Sequence, residues 1–87
     1  MNKVKVEAFY SASNDSKDVS LSGLLEEIKH EFGDKVEIIS YKGKNELFYE
    51  YYLTATPAVV IEETIKIIGF CPSKETLVSA LIESGIE

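Results

Sequence analysis

The sequence predicts an α/β domain built on a mixed four-stranded sheet with helices on both faces. Three patterns predict it: apolar residues alternate with polar ones in one segment, recur at helical spacing in others, and form two short runs beside a turn. The element order that follows is β-α-β-α-β-β-α. With 87 residues and no repeat or linker, the chain is expected to form a single domain over residues 1–87.

The first half of the chain is predicted to form a strand, a helix and a second strand. Residues 4–9 alternate at period two, and residues 36–41 form a second strand-like segment. Between them, a polar loop leads into a helix that ends near Gly33. Because a strand, a helix and a strand in succession make a right-handed crossover, the two strands are expected to be parallel. The apolar positions of the helix are Leu21, Leu24, Leu25, Ile28 and Phe32.

The second half is predicted to contain a helix, a hairpin and a last helix. The helix covers residues 45–53 and ends before the Thr-Pro pair, because proline disfavours a helical residue before it. Residues 58–61 and 65–69 are short apolar segments that are expected to pair as an antiparallel hairpin. Ser73 is a candidate N-cap for the last helix, which ends around Gly85.

Composition excludes several classes of function. Fifteen acidic residues against nine lysines and no arginine give a net charge of −6, which argues against nucleic acid or an anionic membrane as a partner. The apolar runs are short and no charged-then-apolar leader follows Met1, so we expect a cytoplasmic protein that is neither exported nor membrane-spanning. No metal-ligand spacing or glycine-rich phosphate motif occurs, so neither a metal nor a cofactor is expected. A monomer is expected.

In this element order, two segments resemble the thioredoxin superfamily, and more closely its small thioredoxin-like and glutaredoxin-like members. Residues 56–61, with the sequence TPAVVI, are similar to the family's Thr-Pro segment, whose proline is cis and opens the third strand. Residues 69–75, with the sequence GFCPSKE, are similar to the family's turn into the last helix. The resemblance covers nearly the whole chain and implies a thioredoxin-like fold.

The chain departs from the family where the family's chemistry resides. Those proteins carry Cys-x-x-Cys in the loop after the first strand, and here Ser13 and Ser16 fall at the two cysteine positions. Disulfide exchange needs a thiolate that attacks and a second thiol that resolves the mixed disulfide, and serine supplies neither. The chain has a single cysteine, Cys71, which lies elsewhere. The fold is therefore implied without the usual dithiol activity.

Two functions from different classes follow from the resemblance. The first is a redox-inactive thioredoxin-like domain that binds a protein or peptide partner at the face formed by residues 13–16 and the Thr-Pro pair. The second is a thiol–disulfide oxidoreductase seen as a cysteine-to-serine variant. Glutathione is not expected, because the acidic pair that glutaredoxins place at the start of the last helix is absent from residues 71–73. The candidate binding residues are Tyr10, Ser13, Asn14, Asp15, Ser16, Thr56, Pro57, Gly69 and Phe70.

Each chemistry-bearing side chain also has a structural interpretation. Ser13 and Ser16 are good helix caps, so no catalytic residue is assigned with certainty. Asp15 and Asp18 suit the positive end of a helix dipole. His30, the one histidine, lies off the apolar stripe and is expected to be solvated, which leaves a serine nucleophile without a base. Cys71 is a possible reactive thiol before a helix N-terminus, although a packed and inert cysteine is the simpler interpretation.

The helix predicted over residues 45–53 has more aromatic side chains than one sheet face needs to bury. The surplus row, with Phe9 or Tyr10 nearby, is a candidate for partner contact. Tyr52 stands where close relatives often have glycine, and we expect it to reshape the end of this helix.

Overall fold

A computed structural model describes residues 3–12, 16–43 and 45–85 of the chain. Within these residues, four strands form one sheet in the order β2-β1-β3-β4. The elements confirm the predicted α/β class and its β-α-β-α-β-β-α order. The strands are β1 Val4–Tyr10, β2 Val36–Lys42, β3 Ala58–Ile61 and β4 Ile65–Ile68; the helices are α1 Ser16–Phe32, α2 Glu46–Glu50 and α3 Lys74–Glu83, with a 3-10 turn at Gly33–Lys35.

The pairing of the strands is mixed, as the sequence predicts. β1 is parallel to β2 across the α1 crossover and antiparallel to β3. β3 and β4 form the expected antiparallel hairpin. β1 therefore lies inside the sheet, with a neighbour on each side.

Helices cover both faces of the sheet and divide the core into two clusters. On one face, Val6 and Ala8 of β1 pack with buried side chains of α1 and α3. On the other, Phe9 packs with Phe48 of α2 and with Leu53. Because β1 is buried on both faces, even its polar residues must find partners within the fold.

Local capping signals in the sequence mark the starts of two helices. The Ser73 side chain accepts a hydrogen bond from the Thr76 N–H at 3.1 Å, which confirms the predicted cap of α3. Asn45 accepts one from the Phe48 N–H at 2.9 Å and caps α2.

The predicted length of α2 is wrong: the helix has five residues rather than spanning 45–53. The Leu53 N–H donates to the Phe48 carbonyl and the Tyr52 N–H to the Tyr49 carbonyl, both at 3.0 Å. Those two bonds are the Schellman motif, in which the residue after the helix adopts a left-handed conformation. Tyr52 occupies that position with φ 57°, so this residue does reshape the helix end. The turn directs Leu53 into the core, where it is 5% exposed.

The α2 face of the sheet contains a buried carboxylate that the alternating pattern of β1 does not reveal. Glu7 is 2% exposed. Its Oε1 accepts a hydrogen bond from the Tyr51 hydroxyl at 2.7 Å, and its Oε2 accepts one from the Tyr41 hydroxyl at 3.1 Å. The Lys5 Nζ lies 3.7 Å from Oε1. Glu7 thus joins β1 to β2 and to the C-cap of α2.

Substitution of Tyr51 by phenylalanine tests this cluster. Tyr51→Phe deprives the buried Glu7 carboxylate of its 2.7 Å hydrogen bond, so we expect a loss of about 1.5–3 kcal/mol in the free energy of unfolding. Urea denaturation measures it. Tyr49→Phe is the matched control, since that side chain is 63% exposed and its loss should lie within about 0.5 kcal/mol. Equal stability of Tyr51→Phe and wild type would contradict the assignment.

Tyr51→Phe should also change how the free energy of unfolding depends on pH. Burial, with the hydrogen bond to Glu7 and its charge, raises the pKa of Tyr51 well above the ordinary 10.0. Below pH 10.0 the Tyr51 phenol is protonated in both the folded and the unfolded chain, and it contributes its full stabilisation to the folded state. As the pH rises beyond it, the unfolded chain loses the proton first, so the free energy of unfolding falls. We expect a shallower fall for Tyr51→Phe in denaturation measured from neutral pH into this alkaline range, whereas parallel profiles would contradict the shift.

Candidate functional site

The register of the sheet brings three chain segments together at one end of the molecule. Ala58 opens β3 and pairs with Phe9 near the end of β1. On its other side, Ala58 pairs with Ile68, the last residue of β4. The loop after β1, the segment before β3 and the turn after β4 are therefore neighbours. We call this the loop end of the sheet; its described residues are 10–12, 54–57 and 69–71.

The Thr56-Pro57 pair is the centre of the loop end. Its peptide bond is cis, as the family resemblance implies. Pro57 is buried and its carbonyl accepts a hydrogen bond from the Gly69 N–H at 2.9 Å. Gly69 has φ 86°, and a Cβ on it would lie 3.5 Å from the Cβ of Ala55. The turn after β4 thus packs closely on the segment before β3, with a backbone conformation that favours glycine.

The loop after β1 is held to α1 by a buried aspartate. Asp18 is 1% exposed, and its two carboxylate oxygens accept hydrogen bonds from the Ser11 N–H at 2.9 Å and the Ser11 hydroxyl at 2.6 Å. The Gly43 N–H donates to the Tyr10 carbonyl at 2.8 Å. Asp18 lies in the first turn of α1, as its expected role beside the helix dipole requires, but its burial against Ser11 could not be foreseen from spacing.

The structure brings several of the predicted binding residues to the loop end. Tyr10, Thr56, Pro57, Gly69 and Phe70 all lie there, and Phe70 is the most exposed of them at 55%. Ser16 is the exposed first residue of α1. Three further predicted residues, Ser13, Asn14 and Asp15, lie outside the described residues.

One predicted contact residue is wrong. Phe9 is fully buried, with its ring stacked on Tyr41 at a centroid distance of 4.8 Å, so it cannot touch a partner. Tyr10, the alternative, is half-buried against the α1 face of the core. Its pKa is raised, mainly by burial. A tyrosine with the ordinary pKa of 10.0 is already protonated at neutral pH, and the raised pKa of Tyr10 keeps it so; its phenol offers a hydroxyl rather than a charge.

Cys71 is a packed thiol in this structure. Its side chain is half-buried against the larger core cluster, and its Sγ lies 3.5 Å from the Pro72 carbonyl oxygen as a weak donor. Burial raises the pKa of the Cys71 thiol, the opposite of the lowering that a helix N-terminus can cause. The simpler interpretation of this residue, as packing, fits these contacts.

His30 faces solvent, as the sequence predicts. His30 is exposed on α1 and lines an open groove toward α3 with acidic neighbours and Lys74, whose ammonium lies 2.8 Å from Glu31. Among residues 3–12, 16–43 and 45–85, no group of three histidine, cysteine or acidic side chains could hold a metal ion. In the same ranges, no helix is long and apolar enough to cross a membrane.

Two solved thioredoxins have the same architecture. A thioredoxin-2 of the malaria parasite superposes with a TM-score of 0.74 at 12% identity, over 94% of this chain and 84% of that one. Thioredoxin f2 of Chlamydomonas reinhardtii also gives a TM-score of 0.74 at 12% identity, over 100% of this chain and 83% of its own. The fold is therefore the thioredoxin fold.

Sequence relatives define the family. The chain is 34% identical over 83 residues to a thioredoxin of Methanocaldococcus jannaschii, covering 93% of this chain and 95% of that protein. It is 31% identical over 80 residues to a probable thioredoxin of Methanothermobacter marburgensis, covering 90% and 92%. No protein-family model matches the chain. Because both relatives are more than 30% identical over nearly the whole chain, the chain belongs to the thioredoxin family.

The state of Cys71 makes a measurable prediction. Because burial raises its pKa and hides part of the sulfur, we expect iodoacetamide to alkylate it more slowly than it alkylates a short cysteine peptide at neutral pH. Mass spectrometry over a pH series follows the reaction, and the urea-unfolded chain is the control that should react at the peptide's rate. A half-maximal rate at a pH below that of the peptide would show an activated thiol instead.

Proposed function

We propose that this chain is a redox-inactive thioredoxin-like domain that binds a protein or peptide partner at the loop end of the sheet. One observation carries the proposal: the chain has a single cysteine. Dithiol exchange needs two thiols in one site, and the residue that remains, Cys71, is half-buried with a raised pKa. The loop end then acts through non-covalent contacts alone.

The geometry of the loop end suits an extended ligand. Residues 54 and 55 are exposed and Thr56, two residues before β3, is half-buried, so the chain that leads into the Thr-Pro pair faces solvent. An extended peptide gains affinity from main-chain hydrogen bonds along such a segment and specificity from side-chain contacts. Phe70, an exposed aromatic side chain on the adjoining turn, supplies an apolar contact of the kind that anchors interfaces.

Peptide selection tests the binding function directly. We expect a displayed library of cysteine-free peptides to yield ligands for the purified chain, and Phe70→Ser to weaken them by roughly tenfold because it removes an exposed apolar anchor. Titration calorimetry gives the dissociation constants. Ile82→Ser is the matched control, since that side chain is 61% exposed on α3, away from the loop end.

Two outcomes would count against the loop end as the binding surface. If the selected peptides bind Phe70→Ser as tightly as wild type, or shift backbone resonances away from residues 54–57 and 69–71, the loop end is not the binding surface. Both variants should unfold at the wild-type temperature, because neither side chain is buried.

A thiol–disulfide oxidoreductase, with serine standing in for both cysteines, is the second candidate. The names of the relatives, thioredoxin and probable thioredoxin, favour it. In that reaction a thiolate attacks one sulfur of a target disulfide and forms a mixed disulfide. A second thiolate then attacks that bond and releases the target as a dithiol. The domain thereby loses two electrons to the target, and its two thiols end as a disulfide.

Restoring the two cysteines separates these functions. We expect the chain as written to show no thiol-dependent reduction of a disulfide substrate, since it cannot form an intramolecular disulfide. Ser13→Cys with Ser16→Cys is the comparison, and Ser20→Cys with Ser16→Cys is the matched control that adds the same thiols at another spacing. Substrate reduction by the chain as written would overturn the redox-inactive proposal. Activity confined to the first double variant would favour the oxidoreductase, whereas an inert variant would favour a binding domain.

A further inference from the structure

The helix end at Tyr52 contains a side chain that the fold itself does not require. Tyr52 occupies the left-handed position of the Schellman motif, with φ 57°. Glycine is the usual residue there, and a side chain with a Cβ costs roughly 1–2 kcal/mol in this conformation. The ring is 82% exposed, so little core packing offsets that cost. A strained conformation that the core does not compensate is a reason to look for a function of the side chain.

Tyr52 belongs to a surface formed by the solvent side of α2. Tyr49 is 63% exposed, and Glu46 and Glu50 are exposed beside it on the same short helix. We call these four residues, Glu46, Tyr49, Glu50 and Tyr52, the α2 patch. Its side chains are two exposed aromatic rings and two exposed carboxylates, and none of the four residues belongs to the loop end.

The Tyr52 ring already faces one cation, which belongs to the chain itself. The Lys66 ammonium of β4 lies 5.8 Å from the centroid of the Tyr52 ring and 6.0 Å from that of Tyr51. A cation is attracted to an aromatic face by the quadrupole of the ring at such distances. Lys66 adds one positive charge beside the ring, but Tyr52 is 82% exposed, so most of its surface still faces solvent.

Charge selects among the possible occupants. The α2 patch contributes two carboxylates, and the whole chain has a net charge of −6. A second copy of the chain, docked by two-fold symmetry, would set like charges against like charges. A basic segment would instead place its ammonium or guanidinium groups against both the carboxylates and the rings.

We propose that the α2 patch docks a basic segment of a protein partner, with one lysine or arginine side chain on the exposed ring of Tyr52 and other basic side chains paired with the carboxylates of Glu46 and Glu50. This surface does not depend on the proposed function of the loop end. It would add a second contact to any partner that the loop end binds.

A short oligoarginine peptide is the probe, followed by NMR on the full chain. We expect it to shift the resonances of Tyr49 and Tyr52, and Tyr52→Gly to weaken it by roughly three- to thirtyfold. That substitution keeps the net charge and relieves the left-handed strain, so its melting temperature should equal or exceed that of wild type. Tyr52→Phe, which keeps a π face, should bind within about twofold of wild type.

Further variants exclude simpler explanations. Tyr52→Leu keeps both the bulk and the backbone strain but removes the π face, so it should bind as weakly as Tyr52→Gly. Ile82→Ser on α3 should leave binding unchanged. The proposal is overturned if Tyr52→Gly and Tyr52→Leu bind the peptide as tightly as wild type, which would indicate general attraction to an acidic protein. It is also overturned if an oligoglutamate peptide of equal length binds as well.

Discussion

The buried carboxylate of Glu7 is the constraint on which the α2 side of this fold depends. β1 lies inside the sheet with both faces covered, so a charged residue in it must be solvated by the protein. Tyr41 from β2 and Tyr51 from the C-cap of α2 provide hydroxyl donors. A helix of five residues is too short to be stable by itself, and the bond from Tyr51 holds it at its C-terminal end. That end is also where the chain turns through Tyr52 toward the Thr-Pro segment.

Much of the fold is local in origin, which is why the sequence predicts it. The predicted cap at Ser73 depends on a side chain within three residues of the amide it accepts from. The cap at Asn45 is equally local, although the predicted helix includes that residue. The length of α2 was not predictable in this way. Its aromatic residues favour a longer helix by spacing, but Tyr52 adopts a left-handed conformation and the Leu53 side chain is buried instead. A competing tertiary contact decided where the helix ends.

The candidate site, too, is predictable from the sequence only in part. The family resemblance identified Thr56-Pro57 and Gly69, but only the pairing of Ala58 with both neighbouring strands shows that they meet Tyr10. Phe9 and Tyr10 are adjacent in sequence and point to opposite faces, so one is buried in the α2 cluster and the other reaches the α1 side. The bond between Asp18 and Ser11 spans seven positions and a loop, a distance at which periodicity carries no information.

A chain with a single cysteine makes different demands on a thioredoxin-like surface than a chain with a dithiol. An oxidoreductase can hold its target transiently through a mixed disulfide, so its non-covalent contacts can be weak. A domain without a dithiol has only contact area and charge. A standard interface buries about 800 Å² per partner, which is roughly a seventh of the 5324 Å² that this chain exposes. The loop end is a small part of that surface. Leu53 alone separates Tyr52 from residue 54 of the loop end, so a partner that extends along this segment would contact both the loop end and the α2 patch. Two weak contacts on one partner reinforce each other, because formation of the first raises the effective concentration for the second.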